Sequence, residues 1–173
     1  DLISYIGNAM ATLCEGEVLQ SQHAADKDTT RQDYLEIIYK KTASLISISA
    51  SAGAVSVMAS REDVEQMRRF GEALGMAFQI QDDILDIEGD AASLGKPVGS
   101  DEKNDKSTAV KYFGLEKSKE LVKEYTEKAI SALNIFDDKE TLISIAYMLI
   151  TYNCTVKSDI IRILFICFFR YTH

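Results

Sequence analysis

Residues 75–87, Gly-Met-Ala-Phe-Gln-Ile-Gln-Asp-Asp-Ile-Leu-Asp-Ile, constrain the chain more than any other stretch. At about 100° per residue, a helical reading places Gly75, Gln79, Asp82, Asp83 and Asp86 inside one arc of about a quarter of the cylinder. Leu74, Met76, Ala77, Phe78, Ile80, Ile84, Leu85 and Ile87 fill the other faces. A helix that is apolar nearly all round belongs in an interior, so this one carries three carboxylates inward along a single stripe. No Lys or Arg stands three or four residues from any of them, the spacings at which helical side chains meet. Two carboxylates about 6 Å apart repel by about 3 kcal/mol at an effective dielectric near 20. A neutral structural role is therefore not expected, and one or more divalent cations are the expected compensation.

A chain of 173 residues suffices for one domain with a substantial core. Its net charge of -8 excludes a general nucleic-acid-binding surface, because phosphate backbones require basic patches. An acidic protein that handles an anionic substrate needs metal ions or local lysines. Cys14, Cys154 and Cys167 are odd in number and without CxxC spacing, the usage of free thiols in a reducing compartment. His23 and His173 lack ligand spacing. No signal peptide is visible, and the chain starts at Asp1 within an apolar helical pattern, the expected appearance of a fragment.

Residues 2–22 read as a helix with Leu2, Ile6, Ala9, Leu13, Gly16 and Gln20 on one face, and Glu15 and Glu17 as exposed charges. Thr30 followed by Asp33 forms a capping-box pattern that opens a long helix over residues 31–59. Within it Lys40 shares a solvated face with Asp33, Glu36, Ser44 and Ser47, whereas Lys41 falls among Tyr34, Ile37, Ile38, Leu45 and Ile48 on the core side. An inward lysine either snorkels past its neighbours or meets a buried anion. The small residues of 43–56 permit close helix packing. Ser60 with Asp63 caps the next helix, which holds the aspartate stripe and ends near Glu88. The charged, glycine-punctuated residues 89–105 read either as a solvated surface loop or as a flap bringing Lys96, and Lys106 just beyond, over a metal site. A short helix over 107–112 closed by Gly114, an amphipathic helix over 115–136, and a last helix capped by Asp137 or Asp138 complete the scaffold. Residues 152–173 form a divergent, hydrophobic tail, too short and too interrupted by Arg162 to span a bilayer.

Five groups occur in this order: Gly16 and Glu17 with Gln20; Lys41, Thr42 and Ala43; Phe78 and Gln79 with Asp82, Asp83 and Asp86; Gly95 and Lys96 with Gly99 and Asp101; and Lys106, Ser107 and Thr108. Residues 4–151 thereby resemble the C-terminal half of the trans-isoprenyl diphosphate synthases, the polyprenyl synthetases. Residues 1–151 are accordingly assigned to that domain. The resemblance implies an all-α fold, a partial isoprenoid synthase (terpenoid synthase) bundle around a central cavity. It also implies a Mg2+-dependent prenyltransferase that condenses isopentenyl diphosphate with an allylic diphosphate. Asp82, Asp83 and Asp86 correspond to the second aspartate-rich motif and to Mg2+ ligands. Lys41, Lys96, Gln79 and Lys106 correspond to diphosphate-binding residues, and Lys41, Thr42 and Gln79 to the reaction centre. A cytoplasmic homodimer without transmembrane segments is the implied state.

The chain departs from the family in lacking the first aspartate-rich motif, which lies upstream of anything present, and the tail lacks a basic ending. The polypeptide as written is therefore expected to be inactive alone. Two other readings stand beside elongation: a terpene cyclase or other ionising enzyme on the same scaffold, and a noncatalytic or truncated partner subunit. Lys96 and the Lys41, Thr42 pair favour elongation, because a second diphosphate substrate needs extra cations.

Overall fold

The computed structural model describes residues 2–24, 28–88 and 108–151, and every regular element among them is helical. Helix α1 spans Leu2–Ala24 and α2 spans Arg31–Ile38. A π-helical turn, Tyr39–Ala43, leads without a break into α3, Ser44–Ser56. The 28-residue α4, Arg61–Glu88, is followed by the short α5, Ala109–Phe113. Then come α6, Leu115–Ala132, a 3-10 turn, Leu133–Ile135, and α7, Glu140–Thr151. No helix among the described residues is long and apolar enough to cross a membrane. Lys96, Lys106 and the tail after residue 151 lie outside the described residues.

The helix starts follow from local chemistry. Thr30 and Asp33 form the reciprocal box: the Asp33 amide donates to Thr30 Oγ1 at 3.2 Å, and the Thr30 amide donates to Asp33 Oδ2 at 2.8 Å. Ser60 and Asp63 repeat it at the start of α4, both bonds at 3.1 Å. Gly114, at φ 79°, ends α5 and turns the chain into α6. The last helix begins at Glu140, so neither Asp137 nor Asp138 opens it as the sequence pattern suggested.

Helix α4 is the hub and packs against α3, α5, α6, α7 and the π turn. Its N-terminal half builds a core with α3, α6 and α7 around Phe70, Leu74, Leu133, Ile145 and Leu149. Its C-terminal half builds a second core with α2, α5 and α6 around Tyr34, Ile38, Met76, Ile80, Ile84 and Val122. Each such side chain contributes about 1.5–3 kcal/mol on full burial, so the carboxylate stripe lies on a helix anchored in both cores.

The expected single helix over 31–59 runs continuously from Arg31 to Ser56 but widens within its length. The Ser44 amide bonds Tyr39 O, five residues back, where an α-helix would reach four. Neighbouring elements lie close on both sides of this wider turn. A Cβ on Gly16 of α1 would stand 2.7 Å from Lys41 N, and one on Gly75 of α4 would stand 2.5 Å from Ala43 Cα. One turn earlier on α4, a Cβ on Gly71 would stand 2.6 Å from Ser47 Cα. Glycines on α4 thus meet small residues of the π turn and of α3 backbone to backbone. This packing buries Ser44 and Ser47, which a uniform α-helical phase had placed on the solvated face with Lys40.

Candidate functional site

The three aspartates of the stripe occupy three different environments. Asp82 is half-buried, whereas Asp83 is 4 % exposed and Asp86 1 % exposed. Asp83 Oδ2 accepts from the Tyr34 hydroxyl at 2.8 Å and from the Ala109 amide at 2.7 Å, while Asp83 Oδ1 accepts from Gln79 Nε2 at 3.1 Å. Burial pushes the Asp83 carboxyl up to about 6, against the pull of those donors, and the neighbouring Asp82 adds to the rise. The same burial, reinforced by the Asp83 charge, raises the Tyr34 phenol well above its ordinary value and keeps it a donor.

These contacts give Asp83 partners that the repulsion argument did not include. The repulsion argument left no neutral structural role for the stripe, yet Asp83 is satisfied by an amide, a phenol and a carboxamide, all uncharged. Two of those donors come from elements 49 and 26 residues away, beyond the reach of any helical spacing rule. The signal available in the sequence was Tyr34 itself, because an inward-facing tyrosine hydroxyl requires a buried partner.

Gln79 extends the network by accepting from Thr42 Oγ1 at 2.9 Å. The π turn on which Thr42 stands and the aspartate helix are therefore joined side chain to side chain, from Thr42 through Gln79 to Asp83.

The two adjacent lysines both reach back to α1. Lys40 pairs with Glu15 at 3.2 Å and Glu36 at 3.0 Å. Lys41 pairs with Glu17 and hydrogen-bonds Gln20 Oε1, each at 2.9 Å. Their side chains are 23 % and 35 % exposed, so Lys40 is the more buried of the two, opposite to the simple phase assignment. Lys41 meets an anion, as one of its two readings required, but that anion is Glu17 at a half-exposed position. Glu17, read from the sequence as a bland surface charge, orients a candidate site residue.

A cavity of about 890 Å³ opens beside the N-terminal half of α4, lined among others by Tyr39, Arg68, Glu72, Met76, Tyr125 and Lys128. None of the candidate residues lines it. Its charges are matched internally: Arg68 bridges Glu65 and Glu72, and Lys128 bonds Glu124 at 2.7 Å. Arg68 and then Arg69 hold the Glu65 carboxyl down to about 2.

As donors for a cation the stripe offers carboxylate oxygens alone, the hard ligands that suit Mg2+. Among the described residues no three acidic, histidine or cysteine side chains are arranged as a ready cage.

The polyprenyl synthetase family model matches residues 1–146. A curated relative, the short chain isoprenyl diphosphate synthase of Methanothermobacter thermautotrophicus, is 37 % identical over 139 residues, which is 80 % of this chain and 42 % of that protein. Among solved structures, heptaprenyl diphosphate synthase from Staphylococcus aureus aligns with a TM-score of 0.82 at 27 % identity, over 88 % of this chain and 60 % of that one. Polyprenyl synthase from Caulobacter crescentus, complexed with calcium and isoprenyl diphosphate, gives the same score and identity over 88 % and 59 %. The chain thus spans about two fifths of the length of that curated relative. Its helices take the all-α isoprenoid synthase fold, and by the family match and the relatives the chain belongs to the polyprenyl synthetase family.

Proposed function

We propose that this chain supplies one wall of a Mg2+-dependent prenyltransferase site, in which isopentenyl diphosphate attacks the cation formed by ionisation of an allylic diphosphate. The observation that carries the reading is the row from Thr42 through Gln79 to Asp83, beside Asp82 and Asp86, in a chain of this family. The aspartate stripe would hold the ion, with the half-buried Asp82 as its most accessible oxygen donor, and Mg2+ when bound supplies the positive charge that stabilises the departing diphosphate.

The chain's own groups have distinct tasks. Lys41 is suited to a diphosphate because its present partner is replaceable: an exposed pair such as Lys41 with Glu17 is worth at most about 1 kcal/mol. Thr42 and Gln79 carry the dipoles that face the cationic carbon, and their mutual hydrogen bond fixes the orientation of both. Lys96 and Lys106 are proposed as further diphosphate contacts on the strength of the motif order alone. The calcium and isoprenyl diphosphate held by the Caulobacter protein support the ligand class.

The test is chain elongation by the protein in its natural full length. With Mg2+, labelled isopentenyl diphosphate and allylic diphosphates of increasing length, label is expected in longer prenyl diphosphates and is lost on chelation. Hydrolysis or cyclisation of the allylic substrate without incorporation would overturn elongation in favour of another ionising enzyme.

The partner in this reading is a second copy of the chain, in the cytoplasm. Ile3, Ile6, Met10 and Val18 stand exposed along α1 and support a self-association face, and the free-thiol pattern supports a reducing compartment. Light scattering of the full-length protein is expected to return twice the protomer mass. A monomer, or recovery in a secreted fraction, removes the corresponding part.

A further inference from the structure

Asp83 does not share the exposure of its neighbour Asp82, and what surrounds it is an assembly of four separate segments. The residue sits on α4 and bonds the first amide of α5 through Ala109, the hydroxyl of Tyr34 on α2, and Gln79, which in turn holds Thr42 of the π turn. Helix α5 has only five residues, too few to persist without tertiary support, so its position is set by what grips it. The grip is made twice more by α2: Arg31 Nε donates to Tyr112 O at 2.8 Å, and the Tyr34 ring packs on Tyr112 and Phe113, with centroids 5.5 and 6.1 Å away. Both acceptor sites of Asp83 Oδ2 are taken by Tyr34 and Ala109, Oδ1 accepts from Gln79, and the carboxylate is almost wholly enclosed, which leaves a metal ion little access to it.

We propose that Asp83 is an anchor and not a metal ligand: with Tyr34 and the Ala109 amide it clamps α2 and α5 onto α4 and so positions the neighbouring carboxylates of the stripe. The inference rests on the metal-diphosphate reading given above and deepens it, dividing the aspartate motif into ligand and positioning roles. Tyr34 becomes a positioning residue that no motif pattern singles out.

The geometry makes Asp83→Asn a conservative change. The Asn Oδ1 can accept from both Tyr34 and Ala109, and a flip of the Gln79 carboxamide lets Gln79 Oε1 accept from the Asn Nδ2 while Gln79 Nε2 donates to Thr42. Asp83→Leu keeps the volume and removes every acceptor. Tyr34→Phe keeps the ring and removes one donor. The measurements are Tm and the affinity of the full-length protein for Mn2+ with inorganic pyrophosphate, read by calorimetry. Asp83→Asn is expected to leave that affinity within about threefold of the parent. Asp82→Asn is expected to weaken it by more than about tenfold, since even partners outside the ligand sphere are worth that much. Asp83→Leu and Tyr34→Phe are expected to lower Tm, with the larger fall and a weaker Mn2+ affinity in the leucine variant, both recovered in Asp83→Asn. Loss in Asp83→Asn equal to that in Asp82→Asn would overturn the anchor and leave the metal-diphosphate reading standing. An unchanged affinity in Asp82→Asn would overturn both. Should the leucine variant fail to fold, Tyr34→Phe decides alone: an unchanged Tm shows that no clamp was removed.

Discussion

Replacing Asp82 by Ala in the full-length protein is expected to lower turnover by about a thousandfold, equivalent to about 4 kcal/mol of transition-state stabilisation, while leaving Tm close to that of the parent. The two halves of this expectation have separate origins. Asp82 is the least buried carboxylate of the stripe, so its loss opens no cavity in either core. It also removes a charge that opposes ionisation of the adjacent Asp83, a small gain for the folded state. The cost falls on the chemistry, because a diphosphate leaving group develops charge where the Mg2+ held by this stripe would stand. The Mg2+ concentration for half-maximal rate should rise together with the loss of turnover, which separates a lost ligand from a general disturbance of the pocket. A variant with parental rate and parental Mg2+ dependence would defeat the assignment of Asp82.

How far the sequence discloses such a site depends on whether the decisive contact lies along a helix or between helices. Inward burial of the aspartate helix follows from period and composition: Asp83, Asp86, Ile80 and Ile84 are buried as the stripe argument required, whereas Asp82 is half-buried and Ile87 exposed near the helix end. Capping by Thr30 and Ser60 was equally legible, because a capping box is complete within four residues. The lysine pair was less so. A uniform 3.6-residue period sent Lys41 to the core side and Lys40 to solvent, whereas both reach acidic or amide groups on α1. Their partners Glu15, Glu17 and Gln20 stand on α1, out of reach of any spacing rule within one helix, and the π turn at Tyr39–Ala43 adds a phase shift for the residues after it, Ser44 and Ser47, that no residue in the segment announces. Tyr34 and Ala109 were hidden in the same way as the lysine partners. Their bonds to Asp83 close loops of 49 and 26 residues, and only the assembled fold brings them together.

The π turn supports the second large expectation, that Gly75→Ala destabilises the protein by about 3 kcal/mol. Helix propensity alone predicts the reverse, since alanine is favoured over glycine in a helix interior by about 1 kcal/mol, so the sign of the result is informative. The opposing term is contact with backbone. A Cβ at Gly75 would lie 2.5 Å from Ala43 Cα and 3.0 Å from Ala43 Cβ, and neither atom can swing aside as the end of a long side chain can. Retreat of the π turn is blocked as well, because Gly16 of α1 closes on Lys41 N, and positions two residues apart stand on roughly opposite sides of a helix. Gly16→Ala should therefore destabilise too, and the double variant should lose more than the sum of the two, by about 1 kcal/mol or more, because each change removes the direction in which the other is relieved. Chemical denaturation of the three variants measures both the single losses and the coupling. Out of a total stability of about 5–15 kcal/mol, such losses leave a folded but weakened protein at the upper end and an unfolded one at the lower. Additive effects, or an alanine at Gly75 that stabilises, would show that the turn carrying Lys41 and Thr42 is not gripped from both sides, and that Thr42 is then placed by its bond to Gln79 alone.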